Sequence, residues 1–179
     1  MTATDLVPIV TDLPDGPPWR AVDDVAFSAG VGGGEIAELF DCVGPHFPQD
    51  RVIETAASPH FIRPPRQLVH GFAVGFSDVG AADQARSVLA EVAFAECLAR
   101  SIAADFDTQP VTAELVAVDV LPTDAGHRVS FTGGDDVGLR PVHLDIGLVQ
   151  VGASLGVLWC GNTPEPFAVA EVRAVLEAI

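Results

Sequence analysis

Arg140-Pro-Val-His-Leu-Asp-Ile-Gly-Leu-Val-Gln-Val-Gly152-Ala-Ser-Leu-Gly-Val-Leu-Trp-Cys160 decides the fold. Val142, Leu144, Ile146 and Leu148 alternate with His143, Asp145 and Gly147, the period of two that marks a strand with one bulky face. Arg140 to Val151 therefore reads as one strand, and Ala153 to Cys160 as its return after a tight turn at Gly152. Upstream, Thr112 to Leu121 and His127 to Thr132 keep the same period, punctuated by Pro122-Thr-Asp-Ala-Gly126 and Gly133-Gly-Asp-Asp-Val-Gly138. Links this short make the four strands antiparallel neighbours.

The remaining elements follow in both directions. Val52 to Ile62 and Gln67 to Phe76 read as two strands joined across Arg63-Pro64-Pro65. Ser77 or Asp78 caps a helical stretch running to Phe106 and stopped by Pro110, with room for a break near Ala93. A helix from Glu35 to Cys42 follows the glycines at 30 and 32–34, and Trp19 to Phe27 reads as a short edge strand. After Thr163-Pro164-Glu165-Pro166 an amphipathic helix closes the chain, with Ala168, Val172, Val175, Leu176 and Ile179 on one face. Residues 1–18 read as an irregular lead-in with no packed element. The expectation is an α+β fold, one domain over 19–179, with an antiparallel sheet of about six strands and helices mainly on one face.

Composition narrows the partners. The 179 residues carry 25 acids against nine basic side chains, all arginine, for a formal charge of -16. Nucleic-acid binding needs a positive footprint, so DNA and RNA are not expected partners. No apolar run approaches the ~20 residues of a membrane-spanning helix, so no membrane insertion is expected of this chain. The first residues show no basic, apolar and cleavage regions of a signal peptide, which fits either a cytoplasmic protein or a mature domain trimmed of its leader.

Cys42 and Cys97, each read onto a helix, are separated by a spacing that fits no metal-ligand or redox motif. They read as a structural staple, and Cys160 is left unpaired.

These residues point further. Leu13-Pro14-Asp15-Gly16 with Trp19 just after it, Asp41-Cys42-Val43-Gly44, Phe76-Ser77-Asp78 before an alanine-rich helix, Ala95-Glu96-Cys97-Leu98-Ala99 and the closing strand, strand, helix form a set. With them the chain resembles the actinobacterial sensor-domain proteins, similar to the extracellular domain of mycobacterial serine/threonine kinase sensors and related lipoproteins. The resemblance covers nearly the whole chain and includes the two cysteine positions. It implies an antiparallel sheet with helices packed on it, and a cleft for an unidentified ligand. The expected role is a non-catalytic ligand-binding or sensory module of the cell envelope. The alternative is a protein-interaction domain without a small-molecule pocket, with a hydrolase using Cys160 or His143 and Asp145 behind it.

No cofactor or metal is expected. The glycines at 30–34 lack the lysine of a phosphate loop, since the chain has none, and the five histidines show no zinc spacing. Gly133-Gly-Asp-Asp136 lacks the alternating acids of a calcium loop. The sheet faces give the one candidate site. Leu68, Phe72, Val74 and Phe76 belong to the bulky core face. The opposite face combines a glycine/alanine floor with Arg128, Ser130, His143 and Asp145, an expected open groove for a small molecule or peptide.

Overall fold

Eight strands form one antiparallel sheet in the computed structural model, which describes residues 2–22, 42–64, 66–106, 112–121, 126–135, 138–162 and 164–179. They are β1 (Arg20–Val22), β2 (Val52–Ala57), β3 (His60–Arg63), β4 (Gln67–Phe76), β5 (Thr112–Val120), β6 (Gly126–Asp135), β7 (Gly138–Val151) and β8 (Ser154–Asn162). The order is β1-β3-β4-β8-β7-β6-β5, with β2 also paired to β4. The α+β class and the β5–β8 meander are as the periodicity predicts, but the sheet has eight strands where about six were expected. The expected strand Val52 to Ile62 is two strands, parted at Ser58 and Pro59, where proline removes a ladder donor. The β6–β7 hairpin is also longer than expected, since Gly133 and Gly134 pair with Arg140 and Leu139. The expected helix over 35–41, the glycines at 30–34 and Pro110 lie outside the described residues.

Among the described residues three α-helices are bounded, α1 (Val79–Leu89), α2 (Val92–Phe106) and α3 (Val169–Ala178). Asp78 caps α1 by accepting a hydrogen bond from Ala81 N at 3.0 Å, satisfying one of the amides that a helix start leaves free. The break in the long helical stretch falls at Ala90 and Glu91, just before Ala93. His127 on β6 donates from Nε2 to Ala90 O at 3.1 Å, so the carbonyl freed by the break keeps a partner.

The helices do not gather on one face. Under α1 and α2 lies one core, with Phe72, Val74 and Phe76 from β4, Val129 and Phe131 from β6, and Ile146 and Leu148 from β7. On the opposite face α3 buries Val172 and Val175 against Val69, Leu158 and Cys160. Both faces of β4 are therefore core, which corrects the expectation of one bulky face and one open face. Leu68 is only half-buried, whereas Val69 from the other face is fully buried.

The lead-in is packed as well. Ala3–Leu6 forms a 3-10 turn whose Ala3 and Leu6 are fully buried against Ala73. The glycine floor exists to receive it: a Cβ on Gly71 would meet Pro8 Cδ at 2.3 Å, and one on Gly156 would meet Leu6 O at 2.9 Å. The Leu13-Pro14-Asp15-Gly16 segment is held by Arg63, whose Nη1 donates to Pro14 O and Asp15 O at 3.1 Å each. The same guanidinium stacks 4.4 Å from the Trp19 ring centroid, and the Trp19 indole donates to Pro14 O.

Cys42 and Cys97 are joined as a disulfide with Cα atoms 5.6 Å apart, tying the chain before β2 to α2. β2 and β5, each pairing along one side only among the described residues, both carry a bulge. The extra residues are Ile53 and Val116, exposed to 72% and 63%.

Candidate functional site

The four residues expected to form a groove do come together. Arg128 lies opposite Asp145 and Ser130 opposite His143 in the β6–β7 register. Arg128 grips Asp145 with two bonds, Nε to Oδ1 at 2.5 Å and Nη2 to Oδ2 at 2.7 Å, the bidentate geometry that suits guanidinium and carboxylate. His143 donates from Nε2 to Pro164 O at 3.1 Å, which leaves Nδ1 to accept the Ser130 hydroxyl at 2.9 Å.

The groove is not open, however. Arg128 Nη2 also donates to Phe167 O at 2.7 Å, and Phe167 itself is buried in the core under α3. Leu176 of α3 fits against the floor, where a Cβ on Gly147 would come within 2.7 Å of its Cδ1. Asp145 is 0% exposed, and burial raises its carboxyl above the usual carboxylate value, with Arg128 and then His143 acting in the opposite direction. The polar face thus serves as the dock for residues 164–168 and α3. Cys160, beside Asp145 across β7 and β8, is buried, and that burial pushes its thiol well above its ordinary value, with Asp145 and Glu171 adding to the effect. A nucleophile needs the thiolate, so this environment makes Cys160 a small core side chain.

An open cleft lies at the end of the β7–β8 hairpin. β6 begins opposite Gly147, while β7 and β8 continue paired to Val151 and Ser154. The hairpin end therefore projects past β6, and the notch beside it is reached from α1 on one face and α3 on the other. The cleft has a volume of about 610 Å³ and is walled by Val79 and Arg86 of α1, Leu148 and Val149 of β7, and Arg173 and Leu176 of α3. Asp83, Gln150 and Glu177 complete its rim, and Gln150 Nε2 donates to Asp83 Oδ1 at 2.7 Å. A volume of this size lies within the usual range for small-molecule sites. A second, smaller cleft of about 410 Å³ adjoins Arg63, Gln67, Asn162 and Pro164.

Comparison of the chain with protein-family models, with curated proteins and with solved structures finds no match in any of the three.

Sequence reasoning missed the cleft because its charged residues sit on separate helices and show no common spacing. It also missed a row of side chains across the sheet, on the face that carries α1 and α2. Val22, His60, His70, Trp159, Ile146 and His127 follow one another on β1, β3, β4, β8, β7 and β6. The rings of His60 and His70 stack with centroids 4.2 Å apart. Among the described residues no group of three metal-binding side chains is gathered, and His60 Nε2 has no hydrogen-bond partner.

Burial holds His60 below its ordinary value of 6.5, and the neighbouring His70 adds to this. Burial likewise lowers His127, with its hydrogen bond to Ala90 acting in the opposite direction. As pH falls below 6.5 the unfolded chain takes up these protons before the folded one does. Their contribution to stability is therefore present above that pH and lost as pH drops toward the folded values. Urea midpoints at about pH 7.5 and about pH 5 should differ, and His60→Phe should narrow the difference. An unchanged difference in that variant would show that His60 carries none of the effect.

Proposed function

We propose that this chain is a non-catalytic ligand-binding or sensory domain of the bacterial cell envelope, of the actinobacterial sensor type that its motifs resemble, with its ligand site in the hairpin-end cleft. The observation that carries this reading is the contrast between two polar regions. The Arg128–Asp145 face is filled by the chain's own residues 164–168 and α3, whereas the cleft between α1 and α3 remains open. An extracytoplasmic setting is supported by the Cys42–Cys97 bridge, since disulfides persist in oxidising compartments.

Binding would couple the helices of the two sheet faces, because α1 and α3 both wall the cleft. A thermal-shift screen of small polar and amphiphilic compounds tests the reading. A compound at about 100 times its Kd is expected to stabilise the fold by about 2.7 kcal/mol. Val79→Trp, at a half-exposed position on the cleft wall, should abolish that gain without unfolding the domain. Compounds that stabilise the variant as well as the parent would place binding elsewhere and overturn the reading.

A further inference from the structure

We infer that the stacked His60–His70 pair is an acid-sensitive latch, which at neutral pH holds β1, β3 and residues 13–22 on the sheet and in acid releases them as a unit. The device lies apart from the hairpin-end cleft and acts on the smaller cleft beside Arg63.

The geometry of the pair carries the inference. His60 and His70 are 8% and 5% exposed, and their rings lie 10° from parallel with centroids 4.2 Å apart. Two neutral imidazoles fit such a stack. A proton on one ring places a charge in a buried site, and a proton on each sets two like charges face to face. His60 Nε2 has no hydrogen-bond partner, so no acceptor is placed there to steady an imidazolium. Among the described residues the ladders set Val22 of β1 and His70 of β4 against His60, with Trp159 of β8 beyond His70. Arg20, two positions along β1 on the same face as Val22, is a further positive charge. None of these is a carboxylate, and the charge that acts on His60 is that of His70. Burial and His70 both hold His60 below 6.5, so the opened edge takes up a proton more readily than the closed one. The contribution of the latch is therefore present above that pH and lost as pH falls through the folded value.

The loss falls on the least anchored part of the sheet. β3 has four residues, and the three of β1 pair with β3 alone among the described residues. β2 has its own ladder to β4 and does not depend on β3. At the far end of β3, Arg63 holds the carbonyls of Pro14 and Asp15 and stacks on Trp19. Leu13 and Trp19 pack in the same cluster as Phe61 of β3. Residues 13–22 are thus fastened through β3, whereas Ala3 and Leu6 are fastened separately against Ala73 of β4. The unit that opens therefore has a boundary between Leu6 and Leu13. Asp15, Pro17 and Arg63 leave with it, so the smaller cleft loses a wall in acid.

Hydrogen exchange of the full oxidised chain at about pH 7.5 and about pH 5, corrected for intrinsic rates and read segment by segment, tests the latch. Protection in residues 13–22 and 60–63 is expected to fall at least about tenfold in acid, against less than about threefold in residues 3–6, 144–148 and 172–175. His60→Phe keeps a ring in the stack and removes the titrating group, so its edge should stay within about threefold of its neutral protection at about pH 5. His60→Leu should do the same without the ring, and serves where the Phe variant fails to fold. His127→Gln removes the other imidazole that burial lowers, and should leave the opening of the edge in place. Protection lost equally across the whole sheet would be global unfolding and overturns the latch. An edge that opens in both His60 variants as it does in the parent, or that does not open in the parent at about pH 5, overturns it as well.

Discussion

Replacing Cys42 and Cys97 together by alanine is expected to lower the free energy of unfolding by about 4 kcal/mol, the chain-entropy value for a loop closed over a separation of 55 residues. The loop encloses β2, β3, β4, α1 and the start of α2, so the bridge constrains the unfolded segment that supplies much of the α1/α2 core. Two side products of this arrangement are measurable. The unreduced denatured chain should take one alkylating group, at Cys160, and the reduced chain three. Urea unfolding of the double variant should show both the lower stability and a steeper dependence on denaturant, because its unfolded state is less compact. A loss below about 1 kcal/mol would mean that the bridge holds together regions already fixed by other contacts.

The second large effect belongs to the buried ion pair. Arg128→Met leaves Asp145 without its bidentate partner at a side chain only 1% exposed, and should cost about 3–5 kcal/mol. The Phe167 carbonyl loses a donor in the same variant, so the dock for α3 is weakened too. Adding Asp145→Leu should restore most of the loss, since an apolar pair of similar volume avoids the cost of an unpaired buried charge. Chemical denaturation of the two variants decides the point. A single variant within about 0.5 kcal/mol of the parent, the behaviour of exposed residues, would reinstate the open groove that the sequence suggested.

The contrast shows where sequence reading works in this chain. Val142 to Leu148 and the Gly152 turn were legible because strand period and turn chemistry are local, and Gly152 adopts the positive φ that such a turn favours. The cysteines were legible from their places on the chain. The juxtaposition of Arg128, Ser130, His143 and Asp145 followed from strand order alone. What covers them did not, because a polar residue facing solvent and one facing a docked segment leave the same alternation in the sequence. The lead-in was opaque for a related reason. Ala3 and Leu6 are too few to form a pattern among prolines, and their burial depends on glycines 71 and 156 far along the chain. Arg86 and Arg173 line one cleft although they sit on helices of opposite sheet faces, a tertiary fact without a local signature.

The bulges at Ile53 and Val116 have a consequence for how the molecule behaves in a crowd. A sheet of eight strands offers its outer backbone groups as a template on which another chain can grow, and this chain is apolar enough, at a mean hydropathy of +0.36, for such growth to be a hazard. Each extra residue throws the hydrogen-bonding groups around it out of step, so a flat incoming strand cannot stay in register along the whole border. The two irregularities blunt the borders at β2 and β5 as templates for a further strand.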